Sequence, residues 1–192
     1  MVAQHAAYWD PDGDGVIWPS DTYNGCRAYG WNPFLSGFAT FLINGALSYP
    51  TAPTILPDPF FRIFLARIHK DKHGSDSMTY DNEGRFIPQK FEDIFTKYDR
   101  GDKGGLDKGD LWRAMKGQRM VFDFFGWSAS FFEWVATYLL IWPDDGVMRK
   151  EDIRGIYDGS IFYKKADETR RKREARQKLG VKVKAAVYTK VS

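Results

Sequence analysis

The chain is poor in the residues that make covalent or metal cross-links. It has one cysteine, Cys26, and three histidines among 192 residues. One thiol cannot form an internal disulfide and has no second sulfur for a zinc site, so nothing indicates an oxidising compartment. The first ten residues also lack the basic and apolar regions of a secretory signal. We therefore expect an intracellular protein, of one substantial domain or two small ones, that folds without disulfides.

Charge is distributed unevenly along the chain. Residues 164–192 carry eleven Lys or Arg against three Asp or Glu, a net charge of about +8, which leaves about −5 for residues 1–163. Such a basic tail could contact nucleic acid, anionic lipid head groups or solvent alone, and charge runs most often form a solvated face. We expect no nucleic-acid partner.

An acidic loop follows the first nine residues. The run from Asp10 to Asp21 places carboxylates at loop positions 1, 3, 5 and 12, a glycine at position 6 and an isoleucine at position 8, which is the EF-hand pattern. The ligands it predicts for calcium are Asp10, Asp12, Asp14, the backbone carbonyl of Val16, and Asp21. Because Asp21 is one methylene shorter than the usual glutamate, we expect weaker calcium binding and stronger competition from magnesium.

Two later segments keep the spacing of such a loop without its ligands. In residues 99–110, Gly101 and Lys103 occupy ligand positions, and in residues 141–152 the first and third positions are Ile141 and Pro143. A lysine in a ligand position repels a cation. The spacing between the two segments suits a helix-loop-helix pair, with one helix starting at Pro88, so we predict a pair that kept its fold and lost its metals.

Two stretches are apolar enough to meet lipid. The uncharged residues 28–57 predict a helix from about Pro33 to Tyr49 followed by a proline-punctuated turn, which either lies on a lipid surface or is buried in a core. The aromatic stretch from Phe122 to Trp142 has only two charges, Asp123 and Glu133. For this second stretch a large aromatic core is the favoured interpretation.

The histidines are His5, His69 and His73. His5 is one helical turn after Val2 and before Trp9, so it faces the apolar side, where a lone histidine is usually a core residue. His69 and His73 have the i, i+4 spacing of a metal pair if the segment is helical, but no third ligand is near in sequence. From the residues alone, the chemistry of these side chains stays open.

Five segments follow one another in an order shared with a known family. They are His5–Asp10, Pro50–Phe61, Ile68–Ser77, Tyr80–Pro88 and Phe122–Trp127. On these segments the sequence closely resembles the caleosins, also called peroxygenases, over most of residues 5–163. The resemblance implies a mainly α fold, with EF-hand-like helix-loop-helix units and an inserted apolar helix ending in a proline knot. The expected segments are a calcium-binding unit (1–30), an apolar lipid-associating helix with its proline knot (31–60), a degenerate EF-hand-like pair (61–163) and a basic tail (164–192).

The resemblance also implies a function. Members of the family bind haem and calcium and use hydroperoxides to oxidise unsaturated fatty acids at lipid droplets and the endoplasmic reticulum. The residues that match the family's two implicated histidines are His5 and His73, expected both to bind the haem iron and to take part in catalysis. Expected partners are fatty acid and lipid hydroperoxide substrates and the lipid-droplet or endoplasmic reticulum membrane surface, and a homo-oligomer is left open. The alternatives are a non-catalytic, calcium-dependent coat protein of lipid droplets and a soluble calcium sensor whose apolar stretches are core.

Overall fold

The fold is mainly α-helical, as predicted. The computed structural model describes the backbone of residues 2–191 and the side chains of residues 4–179. Its helices are α1 (Val2–Ala7), α2 (Pro19–Ala28), α3 (Pro33–Thr51), α4 (Pro88–Tyr98), α5 (Lys108–Gln118), α6 (Phe124–Ile141), α7 (Lys150–Asp158) and α8 (Ser160–Val191). A 3-10 helix spans Leu65–Asp71. Four two-residue strands, β1 (Val16–Ile17), β2 (Ile63–Phe64), β3 (Gly105–Leu106) and β4 (Met148–Arg149), join the loops.

Proline marks the start of three helices. Pro19, Pro33 and Pro88 each occupy the first turn of a helix, where the missing N–H would have had no intrahelical partner and the fixed φ already suits the helix. At α3 the side chain of Asn32 also accepts a hydrogen bond from the Leu35 N–H, at 2.8 Å. These local signals explain why the predicted starts of α3 and α4 are correct.

Helices α4 to α7 form two helix-loop-helix units that pack against each other. Strands β3 and β4, one from each loop, pair antiparallel with Leu106 opposite Met148. Both of these side chains are fully buried, and around them lies a core that includes Phe91 and Ile153. The two loops with EF-hand spacing but poor ligands are therefore side by side, in the geometry predicted from their spacing.

Lys103 takes the place of a metal ion in the first of these loops. Its ammonium lies 3.4 Å from Asp99, 3.4 Å from Asp107 and 2.8 Å from the fully buried Asp110. Burial by itself would raise the pKa of Asp110, but the Lys103 ammonium and backbone N–H donors outweigh it and lower this pKa below its usual value. The lysine thus supplies, within the fold, the positive charge that the carboxylates require.

The N-terminal acidic loop pairs with a segment that the sequence did not indicate. Strand β1 runs antiparallel to β2, with Ile17 opposite Ile63, and the Leu65 N–H donates to the Gly15 carbonyl at 2.9 Å. Strand β2 follows the proline-rich turn directly and leads into the 3-10 helix. The acidic loop is thereby connected to the segment that contains His73.

The inserted helix α3 is reversed in the sense that it buries polar side chains and exposes aromatic ones, the opposite of a helix in the core of a water-soluble protein. Its buried residues are Ser36, Ala39, Asn44, Ser48 and Thr51, most of them polar, whereas Phe34 is 85% exposed and Phe41 is 75% exposed. The polar face makes specific contacts. Asn44 Nδ2 donates to the Phe61 carbonyl at 2.9 Å, and the Phe64 N–H donates to Thr51 Oγ1 at 3.2 Å. The aromatic face of α3, with Phe34 and Phe41, is left exposed.

Helix α6 is only partly a core helix, so the favoured interpretation of residues 122–142 holds for one face of the helix and not for the other. Trp134 and Ile141 are buried in the core of the helix-loop-helix pair, but Phe124 and Phe125 are each more than half exposed. Within residues 2–191, this is the one helix long and apolar enough to cross a membrane on length and composition alone, and 28% of it is buried. The sequence could not distinguish the two faces of α6, because Phe and Trp occur on both and suit a core and an interface equally.

Candidate functional site

The carboxylates of the acidic loop converge as its spacing predicts. Asp10, Asp12 and Asp14 place one oxygen each within 4.8 Å of one another. The loop is shaped by its own backbone, since the Gly15 N–H donates to Asp10 at 3.0 Å and the Val16 N–H donates to Asp14 at 2.7 Å. Gly13 and Gly15 have positive φ angles of 70° and 82°. Converging carboxylates of this kind suit a hard cation such as calcium.

Asp21, the fourth carboxylate predicted to bind the cation, is not part of that cluster. Its Oδ2 accepts a hydrogen bond from the Trp18 N–H at 2.9 Å, at the start of α2. A carboxylate there also stabilises the positive end of the helix dipole. The short side chain of aspartate therefore has a structural partner on the helix, and the loop brings together three of its four acidic residues.

His5 lies on the short helix α1 and is oriented by contacts with α7 and α8, about 150 residues later in the chain. Its Nδ1 is 2.6 Å from the carbonyl oxygen of Ile156, and its ring stands edge-on to Phe162 with centroids 5.2 Å apart. Because a carbonyl only accepts, Nδ1 must carry the proton, which leaves the lone pair on Nε2. Burial lowers the pKa of His5, against the opposing effects of the Ile156 carbonyl and of Glu133 and Asp158. The neutral imidazole is the form that binds a metal.

His73 is a buried imidazole without a hydrogen-bond partner. Its side chain is 7% exposed, and among the described residues neither ring nitrogen forms a hydrogen bond. Nε2 lies 3.5 Å from Oε1 of the mostly exposed Glu133, which is too long for a good hydrogen bond but close enough for a charge interaction. Burial would lower the pKa of His73, yet Glu133 and the nearby Asp76 and Asp123 raise it above its usual value.

Glu133 links the two histidines electrostatically. Its carboxylate raises the pKa of His5 as well as that of His73, so both rings lie in the field of one acidic side chain. The backbone agrees, because α1 packs against both α7 and the 3-10 helix that precedes His73. The sequence did contain a signal for Glu133, since it is one of only two charges in an apolar stretch of 21 residues.

His69 and His73 do not form a pair. The 3-10 helix ends at Asp71 and the backbone of Lys72 is extended, with ψ near 128°, so the i, i+4 spacing does not place both rings on one helical face. His69 is exposed, whereas His73 is buried. The extended residue turns the second histidine inward, and the local spacing could not predict this.

A buried acid lies two residues before His73. Both carboxyl oxygens of Asp71 are buried, with no hydrogen-bond partner among the described residues. Burial raises the pKa of Asp71 to about 8, so at neutral pH it is mostly protonated and uncharged. The segment from Asp71 to His73 thus contains two polar side chains removed from water without partners, which is uncommon outside functional sites.

The residues present fit a haem iron in their donor chemistry. Neutral imidazole is a common axial ligand, and an axial histidine usually donates its other ring N–H to a carbonyl or carboxylate, as His5 Nδ1 does to Ile156. The ring nitrogens of His73, which have no hydrogen-bond partner among the described residues, are a second feature that fits a haem iron. Two open cavities, of about 520 and 710 Å³, are lined by other residues, around Arg27 and around Trp142.

The last turn of α7 is a positioning element that the sequence did not reveal. Besides the Ile156 carbonyl, it presents Gly159, which has a φ of 80° and packs tightly against α1. A Cβ atom at Gly159 would lie 2.7 Å from the Gln4 carbonyl oxygen and 3.0 Å from the Cα of His5. Glycine is therefore required there for two reasons, its backbone conformation and the approach of the helix that carries His5.

The fold and the site together define a helical protein. It has an acidic loop suited to a cation, then the apolar helix α3 with its polar face buried, and then a buried histidine. The model of the family described as caleosin related protein matches residues 1–166. The chain belongs to the caleosin family.

Similar curated proteins bear the name peroxygenase. One is a peroxygenase of Lilium longiflorum, 41% identical over 84% of this chain and 68% of the relative. Another is a probable peroxygenase 4 of Arabidopsis thaliana, 38% identical over 85% of this chain and 84% of the relative. A third is named a probable inactive peroxygenase-like protein of Arabidopsis thaliana, 36% identical over 72% of this chain and 66% of the relative. No solved structure matches. The first two similarities support a peroxygenase enzyme.

Proposed function

We propose that the protein is a calcium-binding haem peroxygenase of lipid droplets and the endoplasmic reticulum membrane. It transfers an oxygen atom from a hydroperoxide to an unsaturated fatty acid, by epoxidation or hydroxylation. The observation that carries the proposal is His73, a buried imidazole whose nitrogens are unpartnered and which shares the field of Glu133 with His5. The names of the two similar peroxygenases support the same reaction class.

The two histidines have different surroundings and therefore different roles. His5 has a lowered pKa and a proton held on Nδ1 by Ile156, so its Nε2 is the permanent ligand. His73 has a raised pKa and an acidic neighbour, so it holds a proton near Glu133 and serves as the acid-base group on the hydroperoxide. A haem held by these residues would supply the chemistry of O–O cleavage and oxygen transfer.

The reversed helix α3 supports the lipid-surface part of the proposal. Its polar face is used up by contacts within the protein, and its aromatic face, with Phe34 and Phe41, is exposed. Large exposed apolar patches are rare on proteins that meet only water. The proline-rich turn that follows is held by an ion pair of Asp58 with Arg62, at 2.8 Å, and exposes Ile55 at 87%. These aromatic and aliphatic side chains would enter the lipid and receive the acyl substrate.

A flotation assay tests this surface. Replacing both Phe34 and Phe41 by serine is expected to weaken binding to artificial oil droplets about 100-fold, because two buried phenyl rings are lost from the lipid. The control is Trp112→Ser, an aromatic side chain that is 57% exposed on α5. Equal flotation of the double variant and the wild type would show that α3 is not the lipid contact.

The acidic loop would bind calcium and position the histidine site. Asp10 comes five residues after His5, and β1 of the same loop pairs with β2, which leads to the 3-10 helix before His73. A cation that draws Asp10, Asp12 and Asp14 together would therefore act on both connections. In the loop of residues 99–110, Lys103 already places a positive charge among the carboxylates.

Calcium is expected to stabilise the wild type but not the Asp12→Ala variant. Asp12 is an exposed member of the cluster, so the substitution removes a ligand without disturbing the core. Calcium at 100 times its dissociation constant should raise the free energy of unfolding by about 2.7 kcal/mol. Denaturation in calcium and in chelator measures the effect, with exposed Glu83→Ala as the control. An unchanged calcium effect in Asp12→Ala would exclude this loop as the site.

Reconstitution with haem tests the enzyme directly. Purified protein is titrated with haem, its Soret band is recorded, and oleate epoxidation is then assayed with cumene hydroperoxide. The proposal requires a stoichiometric Soret shift and epoxide formation that depends on the hydroperoxide. Protein that floats on droplets but takes up no haem would instead be a non-catalytic coat protein. That second candidate is favoured by the exposed face of α3, which needs no cofactor to contact lipid.

A further inference from the structure

An open cavity of about 520 Å³ lies where α8 crosses the connection between α2 and α3. Four cationic side chains line it: Arg27 at the end of α2, and Lys172, Arg173 and Arg176 on α8. No acidic side chain lines this cavity. Among the side chains of residues 4–179, none of the four cations forms an ion pair with Asp or Glu. Four like charges around one space repel each other, so an anion between them is favoured.

The walls of this cationic cavity are held in place by specific contacts. Thr169 Oγ1 donates to the Tyr29 carbonyl at 2.9 Å, and Arg173 donates to the Arg27 carbonyl at 3.0 Å. Gly30, with a φ of 111°, allows this approach, because a Cβ there would lie 2.9 Å from Thr169 Oγ1. The first part of the basic tail is therefore docked on the protein.

Two of the cations remain available for a ligand. Arg27 donates to the Trp31 carbonyl and Arg173 to the Arg27 carbonyl, so these two side chains help to build the wall. Lys172 and Arg176 are one helical turn apart on α8 and face the same side. No hydrogen bond joins either of them to another group in the part of the chain whose side chains are described.

The position of the cavity indicates the kind of anion. Asn32 and Pro33 line the cavity at the N-terminal end of α3, which adds a partial positive charge. The next residue, Phe34, is 85% exposed and begins the aromatic face of α3. A phosphate held by the cations would thus be next to an apolar surface that acyl chains can cover. A nucleic acid would leave that aromatic face in water.

We propose that the cationic cavity binds the phosphate of an anionic phospholipid and so orients the start of α3 on the lipid surface. This inference rests on the lipid-surface part of the proposed function, but not on haem or on peroxygenase activity. It also gives the docked part of the basic tail, residues 164–179, a specific role.

The test compares two pairs of substitutions with the same loss of charge in the full-length protein. The cavity pair is Lys172→Gln with Arg176→Gln, and the control pair is Arg171→Gln with Lys178→Gln, exposed residues of the same helix that do not line the cavity. Binding is measured to vesicles of phosphatidylcholine with and without phosphatidic acid. The cavity pair should bind the phosphatidic acid vesicles about 30-fold more weakly than the wild type, and the control pair should lose much less.

Four results would overturn the inference. Equal losses in both pairs would indicate diffuse attraction by the tail, and no preference of the wild type for phosphatidic acid would remove the site. Full competition by inorganic phosphate, with no added affinity for vesicles, would assign the cavity to a free anion. Tighter binding to an RNA duplex than to the vesicles would assign it to nucleic acid. Flotation on uncharged oil droplets should be unchanged in the cavity pair, which separates failure of this inference from failure of the α3 surface.

Discussion

Replacing His73 by alanine is expected to reduce oleate epoxidation at least about 100-fold while the Soret band is retained, because His73 is the acid-base group and His5 the permanent ligand. The ring is 7% exposed and has no hydrogen-bond partner among the described residues, so its nitrogens are available to a cofactor or a peroxide. His5→Ala should abolish both the Soret band and the activity, because it removes the imidazole whose Nδ1 is held by Ile156 and whose Nε2 is the permanent ligand. Absorbance after haem titration and product formation from oleate measure both results.

His69→Ala is the matched control for this prediction. His69 belongs to the same segment but is exposed, so its loss should leave the Soret band and the activity unchanged. Far-ultraviolet circular dichroism checks that the variants are folded, and added imidazole should restore part of the activity of His73→Ala by filling the vacated space. A His73→Ala variant that keeps a normal Soret band and full activity would remove this residue from the site.

Replacing Lys103 by methionine is expected to lower the free energy of unfolding. The substitution leaves Asp99 and Asp110 without the ammonium that lies between them, and an unpaired buried carboxylate is costly. The loss is limited because Lys103 is partly exposed and Arg113 still contacts Asp110. Urea denaturation measures the change. Lys116→Met, on the exposed side of α5, is the control with the same change of charge.

The effect of Lys103→Met should also depend on pH. The folded protein holds the pKa values of Asp99 and Asp110 below their usual value, so the stabilisation by Lys103 is present above about pH 4 and is lost as the pH falls through the lowered values. The difference in stability between wild type and variant should therefore shrink below about pH 4. A difference that stays constant down to pH 2 would show that the lysine stabilises the loop by packing alone.

The sequence predicted only part of the role of Lys103. It showed that Lys103 occupies a ligand position and would repel a cation, which predicts that this loop binds no metal. It could not show that the ammonium would lie among three carboxylates, because that arrangement depends on how the loop closes onto α5. The same limit applies to His69 and His73, where one extended residue, Lys72, decided which ring is buried.

Local chemistry in the sequence determined the parts of this protein that depend on neighbouring residues. These are the converging carboxylates of the acidic loop, the helix starts at Pro33 and Pro88, and the two later loops without ligands. Each follows from short-range sterics or spacing, which act before the chain folds.

Only the tertiary structure decided which surfaces meet. The last turn of α7 contacts His5 across about 150 residues of chain, β2 pairs with β1, and the buried face of α3 is its polar one. Such contacts depend on the packing of distant elements, and the local pattern of one helix does not contain that information. For the same reason composition could identify the apolar helices, but only the fold shows which of their faces are left for lipid.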